Sequence, residues 1–389
     1  MGAARLKAFY ASRVPEPCTP AALLVLSADC KGIVMRPGAL RAATAKAAAK
    51  LGKMRTRLTA GEKPNRKRMA ALVTVYDAEP ARRRPHDVIA PPGGRAGARA
   101  PRPGPKALAK WLAGSVRKDP ADMIAAAFDE AEARDPGHLR TWVVLVDGAE
   151  HQLRLMRAEA ARRGVTVHVI IDIIHVLEYI WSLHNAGDPA AEDWVAVKAL
   201  AVLAGEGERA VAEITAEADA VGLEGSRRSG ADACVRHLGN KREFLRYDQA
   251  LDAGWPIATG VIEGACRHLI ADRLSIGGAR WGLDGAEAVL TLRVVISNGD
   301  YRGVLALPPG PRAPAALPRH QAGPVHTRRL TGRPVLRSYA QRRRLAYRPL
   351  RSSRRPGSLR LRVPPAACRS GAPGWRSSGP YRSPEPRCR

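Results

Sequence analysis

"AALLVLSADCKGIVM", residues 21–35, sets two apolar runs on either side of a short polar stretch that holds a single acid, Asp29. The Leu/Val run suits a buried strand and Gly32 suits a tight turn. Residues 21–29 are therefore expected as one strand and 31–35 as its hairpin partner. A carboxylate at the end of a buried strand is what the remaining sequence has to explain.

Outward from it, residues 41–68 carry ten Lys/Arg against the single acid Glu62 and read as a basic excursion from the sheet. "MAALVTVYDAEP" (69–80) returns as a third strand, and 91–107 is too rich in Pro and Gly to be other than a loop. Residues 107–135 have helical spacing broken near Pro120, "TWVVLVDG" (141–148) is a strand ending in Asp147, and 149–164 is an amphipathic helix stopped by Gly164. "VTVHVIID" (165–172) is a fifth strand and 173–187 a helix. The order βββαβαβα is that of the ribonuclease-H-like α/β fold. Residues 188–255 are Ala-rich and helix-patterned, an all-helical insertion before the last catalytic helix. The core then resumes over 256–301, so its first part is 1–187.

The net charge of +28 is unevenly placed. Residues 302–389 hold 21 Arg, no Lys, 15 Pro and one acid, Glu385, which supplies +20 and leaves +8 for 1–301. This tail is expected to be disordered. No stretch reaches the roughly 18–20 apolar residues of a membrane span, and the N-terminus lacks a secretory apolar region, so a cytoplasmic, nucleoid-associated protein is expected. The six cysteines show no CxxC pairing and are expected as free thiols.

Asp29, Asp147 and Glu263 stand where such a fold can bring three acids together, because its first and fourth strands are neighbours. Carboxylates so placed can hold two Mg²⁺ ions roughly 3.5–4 Å apart, the arrangement used to cut and join phosphodiesters. Each acid alone has a plainer reading. A strand-end Asp often only caps a helix, and Glu263 can pair with Arg267 four residues on. His175 in "DIIH" (172–175) is by itself more simply a core-facing ring, and Asp172 a helix cap.

"FYASRVPEP", "LLVLSADCKGIVMR", "WVVLVDGAEHQLRLM", "DIIHVLEYIW", "LGNKREFLRYDQAL" and "PIATGVIEGACRHLIADRLSIGGARWGLDGAEAVL" together resemble the DDE transposases of the ISKra-type insertion-sequence family. The resemblance covers residues 9–301. It implies a triad of Asp29, Asp147 and Glu263 binding Mg²⁺ or Mn²⁺, with Asp172 and His175 in support. It further implies cleavage of transposon ends, transfer of the cut strand into target DNA, and a homo-oligomer on DNA. The alternatives are a related Mg²⁺ nuclease and an inactive remnant that only binds nucleic acid. Where the family usually has Gly, this chain has Cys30, which is expected to strain the turn beside Asp29. The family's additional N-terminal region is not seen, and the Arg/Pro tail resembles a GC-rich gene read out of frame from near residue 301, the alternative being a selected nucleic-acid-binding tail.

Transposition needs DNA to be held by its phosphates. Candidates in the basic excursion are Lys46, Lys50, Lys53, Arg55, Arg57, Arg66, Lys67 and Arg68. In "NKREFLRY" they are Lys241, Arg242 and Arg246, beside Tyr247. Trp281 either stacks on a base or, more simply, anchors its loop.

Overall fold

The structure, a computed structural model, describes residues 3–13, 23–50, 65–94, 100–183, 189–276 and 278–307. The chain runs α1 (Ala3–Ser12), β1 (Leu23–Val34), α2 (Ala42–Ala49), β2 (Lys67–Ala78), α3 (Pro85–Val88), β3 (Leu108–Ser115) and α4 (Pro120–Arg134). It continues through β4 (Thr141–Val146), α5 (Glu150–Arg163), β5 (Val167–Ile171) and α6 (Ile173–Trp181). Then come α7 (Pro189–Leu203), α8 (Gly207–Ala220), α9 (Gly225–Asn240) and α10 (Tyr247–Ala253). The last described elements are α11 (Gly260–Ala265), a π-helical turn (Cys266–Ala271), α12 (Asp272–Leu274), α13 (Leu283–Ser297) and α14 (Tyr301–Ala306).

The strands form one mixed sheet in the order β3-β2-β1-β4-β5. β1 is antiparallel to β2 and parallel to β4, β2 is antiparallel to β3, and β4 is parallel to β5, so β2 alone runs against the rest. No described helix is long and apolar enough to cross a membrane.

The hairpin expected at Gly32 does not form. Leu23–Val34 is one strand paired with β2 from Leu23↔Ala78 to Val34↔Lys67. Residues 29–32 stay extended because the apolar residues 69–72 of β2 continue the ladder beside them. Gly32 serves close approach rather than a turn, since a Cβ there would lie 2.7 Å from Lys67 Cδ. Cys30 lies in the same ladder opposite Ala71, and the described non-glycine residues with positive φ are Asn65, Ala109 and His138. The strain expected of Cys30 is absent, because extended backbone suits any residue.

The second correction concerns 107–135. Its first part is strand β3, paired with β2 from Ala71↔Ser115 to Thr74↔Leu112, and only from Pro120 is it helical. "LAKWLAGS" carries no strong local preference, so pairing with the apolar edge of β2 decides its state. Pro120 sits at the start of α4, where a missing N–H costs nothing, and the Asp122 carboxylate accepts from the Asp119 N–H at 3.3 Å. The three meandering strands are thus β1, β2 and β3, not 21–29, 31–35 and 69–80.

Alternate residues of β2 divide between two apolar clusters. Ala71, Val73 and Val75 join one with α4, α5, α6 and residues of α7 to α10, including buried Phe128, Trp142 and Tyr247. Ala70 and Leu72 join the other with Ile33, Met35, Ile262, Leu269 and Leu290. At roughly 1.5–3 kcal/mol for each large apolar side chain removed from water, these clusters dominate the folding energy. The described residues of 188–255 carry no strand, as expected, but their helices share the first cluster with the sheet. The Tyr247 hydroxyl donates to the Ile171 carbonyl at 2.8 Å, fixing α10 to the end of β5.

Regular structure does not stop at 301. α14 follows, with Val304 fully buried, and the Tyr10 hydroxyl on α1 donates to Asp300 at 2.9 Å. The expected disorder of the tail falls on 308–389, outside the described residues.

Gly254 ends α10 in a left-handed conformation, φ +79°, with Ala81 N–H donating to its carbonyl at 2.9 Å. An added Cβ would lie 2.5 Å from Ala81 N, against backbone that cannot rotate away. Gly254→Ala is expected to destabilise the protein by about 1–3 kcal/mol, read as a lowered urea midpoint. An unchanged midpoint would show that 80–81 and 254 separate without cost.

Candidate active site

β1 and β4 pair in parallel from Leu23↔Thr141 to Ser27↔Leu145, and the same stagger carried two residues on brings Asp29 level with Asp147. β4 ends at Val146 while β1 continues beside β2, so Asp29 lies at a fork between strands. In the antiparallel ladder Asp29 opposes Leu72, and directly opposed residues share a face. That places Asp29 on the side covered by α11 and the π turn.

Both Asp29 oxygens are held. The Cys30 N–H donates to Oδ1 at 2.6 Å and the Cys266 thiol to Oδ2 at 2.9 Å. Asp147 is held more locally, its Oδ1 accepting from the Ala149 N–H at 2.8 Å as the chain turns through Gly148, φ +90°, into α5. Glu263 enters from α11 with its side chain 47% exposed, and His175 Nε2 stands 4.0 Å from its Oε1. Among the described residues its ionic partner is His175 rather than Arg267. Burial and then the Asp29 charge push the Glu263 carboxyl above its ordinary value. Cys30 registers two of the acids, since burial followed by the Asp29 and Asp147 charges pushes its thiol up to about 11. Burial, again followed by Asp29, raises the Cys266 thiol further, so it stays protonated.

α6 supplies the fourth side. Ile173, Val176 and Ile180 form its buried stripe, which leaves His175 turned toward Glu263 and not into the core. His175 Nδ1 lies 3.2 Å from Glu178 Oε2. Asp172 is buried and caps the helix, accepting from the Ile174 N–H at 2.8 Å, and it also accepts from the Thr259 hydroxyl. The Ile173 N–H donates to Ile257 O at 3.0 Å. These bonds tie the start of α6 to the chain entering α11, which fixes His175 relative to Glu263.

Among the described residues no three His, Cys, Asp or Glu side chains converge closely enough to enclose a metal ion. A cleft of about 440 Å³ opens elsewhere, between α5, β5 and residues 243–255, and Arg157, His168, Phe244 and Trp255 line it. None of the acids above borders it.

The basic candidates divide. Lys46, Lys50 and Lys67 are exposed, while Lys53, Arg55 and Arg57 lie outside the described residues. Arg66 is buried, and Arg68 Nε donates to Val116 O at 2.7 Å, so these two serve the fold. Lys241 pairs with Glu150, Arg242 with Glu208, and Arg246 with Asp248 at 3.7 Å. Trp281 anchors its loop: Nε1 donates to Leu274 O at 3.0 Å and its backbone bonds to Val34 and Arg36. Cys30, Cys234 and Cys266 are free thiols, and the other three cysteines lie outside the described residues.

Sequence reasoning missed Cys266 and Thr259. Cys266 was within reach, since it follows Glu263 by three residues and so shares its helix face. Thr259 gave no signal, because its partner Asp172 is 87 residues away. No protein-family model, curated protein or solved structure matches the chain.

Proposed function

We propose that the chain is a DDE transposase on a ribonuclease-H-like sheet, in which Asp29, Asp147 and Glu263 hold Mg²⁺ or Mn²⁺ for cutting transposon ends and joining them to target DNA. One observation carries the reading: on two adjacent parallel strands Asp29, inside β1, stands level with Asp147, just past the end of β4, and a third acid, from a helix packed on the sheet, feels the charge of the first. The strand order β3-β2-β1-β4-β5 with β2 reversed supports the fold assignment.

An all-oxygen donor set suits a hard divalent cation, and the repulsion between Asp29 and Glu263 is what such an ion relieves. Asp29 is fixed at both oxygens, whereas Glu263 is half-exposed and Asp147 accepts from a single backbone N–H. Asp29, Asp147 and Glu263 would hold such ions, which would supply activation of a water or 3′-hydroxyl and charge stabilisation of a phosphodiester's leaving oxygen. His175 steers the Glu263 carboxylate, and the Asp172 cap keeps α6 and α11 in register.

Exposed Lys46 and Lys50 are left for phosphates. Changing both to Ala is expected to make the slope of log affinity against log salt shallower by about 2 for duplex DNA. An unchanged slope would mean that neither lysine meets a phosphate.

The test of the reading is a cleavage and joining assay on a duplex carrying the ends that flank the gene, in Mg²⁺ and Mn²⁺. Cut ends joined to target support transposition. Cutting without joining would make the protein a nuclease, and binding without cutting would refute catalysis.

A further inference from the structure

Among the three acids Asp29 is the rigid one, and its rigidity comes from a residue on another element. Cys266 is 1% exposed and heads the π-helical turn that follows α11. Its neighbours Ile262, Leu269 and Ile270 are buried in the second apolar cluster with Ile33 and Leu72, so the turn is fixed to the sheet face that carries Asp29. Cys266 lies three residues beyond Glu263, so one helix turn presents a carboxylate and a thiol toward the same strand. π turns of this kind are often found beside functional groups.

Resting on the function proposed above, we infer that Cys266 is a positioning residue for the reaction: its thiol holds Asp29 Oδ2 at 2.9 Å while the Cys30 N–H holds Oδ1, so that Asp29 is a pre-set ligand onto which Asp147 and Glu263 close. A carboxylate has about four lone-pair positions, so two donors leave room for a cation. The thiol is the donor in this contact, since an ionised carboxylate only accepts. Cys30 takes no part in a disulfide with Cys266: it opposes Ala71 of the first cluster, on the far face of the sheet. A partner that orients a metal ligand in this way typically contributes 10–100-fold to activity or metal affinity.

The test uses the full chain with Cys266→Ala and Cys266→Ser. In the cleavage assay Cys266→Ala is expected to lower kcat about 10–100-fold with KM for DNA unchanged, and Cys266→Ser, which keeps a donor, to recover most of the loss. Equal rates in the two variants and the wild type would overturn the inference. So would equal losses, which point to packing alone.

The second readout needs no activity. The S–H stretch of Cys266, isolated by subtracting the Cys266→Ala infrared spectrum, is expected below that of Cys234, which is buried among apolar side chains. It is expected to rise in Asp29→Asn, whose single amide oxygen stays with the Cys30 N–H, so that the thiol loses its acceptor. A Cys266 band that coincides with that of Cys234 and ignores Asp29→Asn would also overturn the inference. If the wild type cuts no DNA, it is the proposed function that fails, and the band alone then decides whether the thiol holds Asp29.

Discussion

Asp29→Asn, Asp147→Asn and Glu263→Gln are each expected to lower metal-dependent cleavage by on the order of a thousandfold, about 4 kcal/mol of transition-state stabilisation. The amides keep the size and most hydrogen bonds of the acids, so Cys30 N–H and Ala149 N–H retain acceptors and the fold is undisturbed. What is lost is the charge that draws a divalent ion. DNA affinity is expected to hold or rise slightly, because backbone binding rests on cations and removing one carboxylate removes repulsion. Band-shift affinity and cleavage rate, measured on the same preparations, separate the two effects. Three variants that cut at the wild-type rate would reduce these acids to a purely structural role.

The largest effect on stability is expected at the other end of the sheet. Asp77, 5% exposed, accepts from Arg140 at 2.6 Å and from Arg134 at 3.3 Å, and Arg134 also binds Glu130 at 2.7 Å. Arg140 in addition donates to the Leu23 carbonyl at 2.8 Å, so the network joins the start of β1, the end of β2 and α4. Asp77→Ala takes the shared carboxylate from two guanidinium groups at 2–3% side-chain exposure, and removing one partner of a buried pair costs about 3–5 kcal/mol. The exposed Asp232, paired with Arg228 at 3.0 Å, is the control, since surface pairs contribute about 0–1 kcal/mol. Urea denaturation of Asp77→Ala and Asp232→Ala compares them directly. Equal midpoints would show that the Asp77 network adds no stability.

Much of the sheet was legible because its strands are apolar enough to announce themselves. β4 and β5 fall inside the expected 141–148 and 165–172, and α5 ends at Gly164 as expected. β3 was not legible: exposed on its outer side, it is a strand because β2 needs a partner. The supposed turn at Gly32 failed for the same reason, since whether a glycine bends a strand depends on what lies beside it. Of the basic candidates, Arg66 and Arg68 look no different in sequence from Lys46, yet the fold spends them on its own carbonyls and core.

The sequence by itself determined the α/β class, the helical character of 188–255 and the placing of Asp147 at a strand end, because each follows from local apolar pattern and spacing, whereas Asp29, expected to end its strand, lies within β1. It carried His175 and Glu263 only as letters. That His175 faces Glu263, that Cys266 reaches Asp29 and that Thr259 binds Asp172 were decided by tertiary structure alone. The reason is distance along the chain: these partners lie 87 to 237 residues apart, and only the parallel stagger of β1 and β4 and the packing of α6 and α11 bring them within reach.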